Sequence, residues 1–146
     1  MPIALTQEIK DLVNSGYTSG NPMALAVVTP DNKPVLSYRG STQVYSDTAL
    51  GLWVRPGSGT TLDAIKKNPF VAMVYRSATT PMIKFEGRAR VVTDAAEAKK
   101  VFENAPQAEQ GRDPERTGTA VIIELDKVEG VLRFGEKGPE FVKMER

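Results

Sequence analysis

The densest run of groups able to hold an anion lies between Trp53 and Pro69: Trp-Val-Arg-Pro-Gly-Ser-Gly-Thr-Thr-Leu-Asp-Ala-Ile-Lys-Lys-Asn-Pro. The apolar residues before it predict a strand that ends in Arg55. Pro56-Gly57-Ser58-Gly59 then breaks the chain, and a short helix opens on Thr60 and Thr61. Either threonine can cap that helix, Asp63 suits its first turn, and Lys66 and Lys67 suit its last. A helix start presents unpaired N–H groups and partial positive charge, which favour a phosphate. The threonine hydroxyls add donors, and Arg55 adds a fork of charge-assisted bonds. The same run also reads as a plain capped helix behind a loop with an exposed arginine. It is neither a P-loop nor a dinucleotide fingerprint, because Gly57-Ser58-Gly59 lacks a third glycine and the strand before it belongs to no parallel unit.

Two further places could do chemistry. Tyr38-Arg39-Gly40-Ser41 ends a strand with an arginine and a hydroxyl, a reasonable anion contact and also a common strand-to-turn sequence. Trp53, the only tryptophan, could stack on a flat ligand ring or pack in a core or interface.

Composition narrows what these residues can accomplish. The 146 residues contain no cysteine and no histidine. Disulfides, thiolate metal sites, cysteine nucleophiles, Ser-His-Asp triads and imidazole-ligated haem or zinc are all excluded. Any chemistry must come from carboxylates, lysine, arginine, tyrosine, hydroxyls, backbone dipoles or a bound cofactor. The net charge of +1 offers no basic excess for neutralising phosphates along a nucleic acid. No run approaches the ~20 apolar residues of a membrane helix. The N-terminal Met1-Pro2-Ile3-Ala4 has no signal-peptide pattern, so the expectation is a cytoplasmic protein.

The elements that must position these groups follow from hydrophobic period and punctuation. Leu5, Ile9, Leu12 and Val13 share one helical face, with Thr6 as cap and Gly16 as stop. Strands are predicted at 23–29, 35–39, 43–46, 49–55, 70–76, 82–92 and 119–125, with 127–134 continuing the last. The Pro30 to Pro34 turn makes the first two a hairpin. In the long strand from Met82, Ile83, Phe85 and Gly87 take one face and Lys84, Glu86, Arg88 and Arg90 the other. A helix over 94–103 puts Ala95, Ala98, Val101 and Phe102 on one stripe behind Thr93 or Asp94. Residues 106–118 are polar and predict an exposed loop or short helix; 135–146 predict a loose hairpin or an extended arm. Many short connections and no strand–helix alternation argue for antiparallel pairing in a single mainly-β domain over 1–146. The expected architecture is a six-stranded antiparallel split β-barrel of Greek-key type with peripheral helices.

In order and spacing the chain resembles the pyridoxamine 5'-phosphate oxidase-like, flavin-binding split-barrel family. The matching residues are the strand after Lys33-Pro34, Leu52-Trp53-Val54-Arg55, the loop and short helix before Asn68-Pro69, and Phe70-Val71-Ala72-Met73-Val74-Tyr75. Phe85-Glu86-Gly87-Arg88-Ala89-Arg90-Val91-Val92 completes them, with Gly87 and Ala89 in the family's Gly-x-Ala places. The likeness covers roughly residues 5–132. It implies flavin mononucleotide (FMN) with its phosphate at the loop and helix before Asn-Pro, a homodimer with the cofactor between subunits, and oxidoreductase activity on a small organic molecule. Val54 and Arg55 map beside the isoalloxazine, with a further flavin-contacting position near Met82. Where the oxidases proper carry Ser-Arg-Lys, this chain has Gly59-Thr60-Thr61, which sets it apart from them. The residues implied to contact the cofactor are Arg39, Ser41, Val54, Arg55, Thr60 and Thr61. The deazaflavin F420 and a non-enzymatic flavin-binding or sensor role are the alternatives.

Overall fold

The computed structural model describes residues 1–57 and 59–146. Ser58, in the glycine-containing loop, lies outside the described residues. Helix α1 (Gln7–Ser15) begins where Thr6 accepts the Ile9 N–H at 3.3 Å and ends at Gly16. Strands β1 (Met23–Val28) and β2 (Pro34–Arg39) form the hairpin set by the Pro30 to Pro34 turn, and β3 (Gln43–Ser46) and β4 (Ala49–Val54) form a second one. Helix α2 (Thr61–Lys67) leads to β5 (Phe70–Arg76) and β6 (Met82–Val91). Helices α3 (Ala95–Glu103) and α4 (Gln107–Gln110) precede β7 (Thr119–Gly135) and β8 (Gly138–Glu145).

All eight strands join one antiparallel sheet in the order β2-β1-β5-β6-β7-β4-β3, with β8 also on β7. Strand β7 organises it. Over residues 121–131 it pairs with β6; on its other side its first half takes β4 and its second half takes β8. A strand of 17 residues can serve two partners on one edge because β4 ends where β8 begins.

The sheet has more strands than the six expected. The pieces 119–125 and 127–134 are one continuous strand. The Gly135–Arg146 segment is an ordered hairpin strand rather than an arm. Gly138 takes the left-handed φ of 104° that its turn requires. Met144 seals that strand into the core, and its last residues bond back to Met1 and Asp126. An apolar residue every second position is hard to see in Gly-Pro-Glu-Phe-Val-Lys-Met-Glu, where only Val142 and Met144 face inward.

Two apolar bodies explain why β4 shows almost no alternation. Leu50, Leu52 and Val54 point into the main core with Leu25, Met73, Phe85, Ile123 and Val128. The opposite face, Ala49 and Trp53 with Ala120 and Ile122 of β7, is roofed by Val101 and Phe102 of α3. A strand covered on both faces is apolar throughout. The Asp94 carboxylate caps α3 by accepting the Glu97 N–H at 2.9 Å. Ala95 of the predicted stripe stays exposed, at the outer edge of that roof.

Candidate functional site

Strand β2 ends at Arg39 and β4 ends at Trp53-Val54, and both deliver their last residues to one recess of about 180 Å³. Arg39, Trp53, Arg55, Glu109, Arg112 and Tyr17 line it. The chain is held there by Ser41. Its hydroxyl, buried at 2 % exposure, accepts the Trp53 N–H at 2.8 Å and donates to the Trp53 carbonyl at 3.0 Å. The two strand ends are thereby fixed side by side. Ser41 is thus engaged with backbone, and its predicted ligand contact has no hydroxyl to offer. Val54 is likewise turned into the main core at 2 % exposure. Alternation along β4 puts its side chain on the face opposite to Trp53.

Of the remaining predicted residues, Arg39, Arg55 and Thr61 come together. The Arg39 guanidinium donates from Nη2 to Thr61 Oγ1 at 2.5 Å and from Nε to Ser37 at 3.1 Å. This ties the end of β2 to the first residue of α2. Thr61 is buried, whereas Thr60 is exposed and its hydroxyl makes no cap bond. The basic residues sit close enough to interact: burial lowers the pKa of Arg39, the positive charge of Arg55 lowers it further, and Glu109 acts in the opposite sense. A half-buried Arg39 fixed by a threonine, with the exposed Arg55 lining the same recess, forms a donor set suited to a phosphate group. Met82 stands apart, exposed at the start of β6 and paired with Arg76.

The polar segment 106–118, expected to be an exposed loop or short helix, forms the back wall of the recess. Its helix α4 is one turn long, yet Glu109 and Asp113 are both buried. Asp113 accepts the Trp53 indole N–H at 2.8 Å, the Gly118 N–H at 2.7 Å, and the Thr117 N–H and hydroxyl at 3.0 and 2.9 Å. Burial pushes its carboxyl up, but these four donors prevail and bring it down to about 2. Gly118 permits this closeness, since a Cβ there would fall 2.7 Å from the indole nitrogen and 3.0 Å from the carboxylate. Trp53 also meets Phe102 edge-on, with ring centroids 4.9 Å apart. The tryptophan is therefore a packed residue whose ring borders the recess.

Sequence reasoning missed Tyr17, Glu109, Asp113 and Arg112. Charged residues in a Gly- and Pro-bearing stretch carry no periodic sign of burial. The one available signal was that Trp53 needs an acceptor for its indole N–H.

Among the described residues, no cluster of acidic side chains is placed to hold a metal ion, and no helix is long and apolar enough to cross a membrane.

Known structures share this architecture. HupZ of Group A Streptococcus superposes with a TM-score of 0.71 at 20 % identity, covering 93 % of this chain and 98 % of that one. General stress protein 26 of Bacillus anthracis gives 0.65 at 19 % identity, covering 94 % and 100 %. An FMN-binding protein of Syntrophomonas wolfei gives 0.61 at 9 % identity, covering 88 % and 90 %. No curated protein sequence matches the chain. The sequence model for pyridoxamine 5'-phosphate oxidase matches residues 5–131, which spans every element from α1 through most of β7. The split barrel and this match agree, and the chain belongs to the pyridoxamine 5'-phosphate oxidase family.

Proposed function

We propose that the protein binds FMN and is an oxidoreductase of a small organic molecule. The observation that carries the reading is the half-buried Arg39 beside Thr61 with the exposed Arg55 close enough to act on it, a concentration of positive charge that an anionic group would relieve. Family membership supports it, as does the sharing of this fold with an FMN-binding protein. Arg39 and Arg55 would hold the phosphate, with Thr60 adding a hydroxyl at the mouth of the loop. Arg39 is pre-oriented by its bonds to Ser37 and Thr61, so little side-chain freedom is lost on binding. A bound flavin supplies the electron transfer, which a chain without histidine or cysteine otherwise lacks. The residues of this chain then have to position the cofactor and keep one face of its ring open.

The test is an absorbance spectrum of purified protein after incubation with FMN and desalting, beside the same experiment with riboflavin. Retention of FMN and loss of riboflavin is expected, since the recess recognises the phosphate. Retention of neither overturns the flavin reading.

A homodimer is part of the same proposal. On the outer face of β2, β1 and β5, register places Leu36 with Ala26 and Ala72, and Tyr38 with Ala24 and Val74. Leu36 is 72 % and Tyr38 76 % exposed over this floor of alanines. Large apolar side chains around small ones on an open sheet face suit a second copy of the chain. Tyr38 also borders the Arg39 recess, so a partner seated here would wall the cofactor site. Leu36→Asp is expected to convert the dimer to monomer in analytical ultracentrifugation at micromolar concentration. A wild-type monomer, or an unaffected dimer in the variant, would remove this face from the proposal.

A further inference from the structure

The Arg39 recess already contains a carboxylate. Glu109, 9 % exposed, reaches in from α4 with its Oε1 accepting from Arg112 Nη1 at 3.1 Å. Its electrostatic effect extends to Arg39. The backbone has made way for it. A Cβ on Gly40, the residue next to Arg39, would fall 2.6 Å from Glu109 Oε1 and 2.7 Å from the Tyr17 ring. Any other residue at position 40 would push either the carboxylate or the ring away. Arg112 is steadied on its far side by the Tyr17 hydroxyl, at 3.5 Å. Three arginines and one glutamate therefore share the recess, and the glutamate is the group that an entering phosphate would meet as a like charge. A buried carboxylate among cations is held in place because removing it from water is costly unless it is paired.

We propose that Glu109 is the internal counter-ion of this recess: it neutralises the arginines when no ligand is bound, and it sets the charge discrimination of the site by opposing an incoming phosphate monoester. This rests on the reading of the recess as the place where a phosphate is held. Glu109 is a specificity-determining residue that weakens the binding of phosphate-bearing ligands and leaves uncharged ones alone. It would keep the site from filling with abundant small anions, admitting only a phosphate that brings further contacts with it.

The experiment compares wild type, Glu109→Gln, Glu109→Asp and Arg112→Gln, using FMN, riboflavin and inorganic phosphate as probes. Trp53 lines the recess and is the only tryptophan, so its fluorescence reports phosphate entry. Glu109→Gln keeps an acceptor for Arg112 and removes the charge. It is expected to bind FMN and inorganic phosphate about ten-fold more tightly, the scale of one nearby charge at intermediate dielectric, with riboflavin unchanged. Glu109→Asp should return toward wild type. Arg112→Gln frees the carboxylate to turn toward Arg39 and should weaken FMN relative to riboflavin. An FMN-to-riboflavin affinity ratio that Glu109→Gln leaves unchanged or lowers overturns the proposal. If no variant binds FMN, the flavin reading has failed, and the phosphate titration still decides: tighter phosphate binding by Glu109→Gln upholds the counter-ion, and its absence overturns it.

Discussion

Asp113→Asn is expected to lower the stability of the fold by about 2 kcal/mol at neutral pH, and the deficit should shrink by more than half by pH 2.5. The carboxylate accepts four hydrogen bonds in a buried setting, and bonds to a charged group are each worth more than neutral ones. Its folded pKa of about 2 lies below the 3.8 of a free aspartate. The carboxyl therefore stabilises the folded state fully above pH ~4, and that contribution is lost as the pH falls through the folded value. The gap between the two values corresponds to about 2 kcal/mol. Asn keeps one acceptor oxygen but replaces the other with an N–H₂ group that faces donors. For a chain of this size the neutral-pH effect is a fall in Tm on the order of 4–8 °C. Glu97 and Glu129 also have lowered pKa values, through Arg90 and Lys84 respectively as the first cause. Acid unfolding of the wild type alone therefore mixes several groups. The informative quantity is the difference between wild type and variant in urea titrations at pH 7, 4 and 2.5. A difference that stays constant with pH would show that Asp113 acts through packing and not through its charge.

This expectation rests on a segment that the amino-acid pattern describes poorly, and the contrast with the rest of the chain has a physical basis. Elements whose burial is periodic are readable. In β6, the alternation from Ile83 to Ala89 matches the observed burial residue by residue, because one face lies on the core and the other meets water. Caps are readable for a similar reason: Thr6 and Asp94 each serve a specific N–H three residues on. Strand β8 is less so, since an edge hairpin puts only every second residue inward and two of its outward residues are Pro139 and Phe141. In the 106–118 segment the short helix is readable and the burial is not. Its burial serves two individual side chains, Glu109 facing arginines and Asp113 facing an indole, and neither arrangement repeats along the chain. The site follows the same division. Arg39, Arg55 and Thr61 lie at the ends of regular elements and converge as their positions imply. Ser41 and Val54 carry no pattern that gives their direction: one turns its hydroxyl to the Trp53 backbone, and the other follows the strand pleat into the core. Direction of this kind is settled by which neighbours a residue finds across the sheet.

Arg39→Met is expected to weaken FMN binding by roughly 30- to 100-fold while changing riboflavin by less than about three-fold. Loss of a charge-assisted contact costs about 2–3 kcal/mol, and about 1.4 kcal/mol corresponds to a factor of ten. Methionine preserves the length of the aliphatic stem that half-buries this residue, so the strand end should keep its packing. The cost to the fold falls mainly on Thr61, whose buried hydroxyl loses its donor, about 1 kcal/mol by comparison with similar unmet groups, while the half-buried Ser37 hydroxyl also loses its bond from Arg39. Arg39→Lys separates charge from geometry. Lysine restores a positive charge but cannot bond Ser37 and Thr61 while presenting a fork to the ligand, so its FMN affinity should fall between those of wild type and Arg39→Met. Isothermal titration with the two flavins at one ionic strength measures the ratio directly, and its salt dependence should weaken in the methionine variant as the charge contact is removed. Equal weakening of FMN and riboflavin would mean that Arg39 touches the ring system and not the phosphate, which would turn the proposed cofactor end for end in the recess. No change in either would remove Arg39 from the site and leave Arg55 and Arg112 as the cations to test.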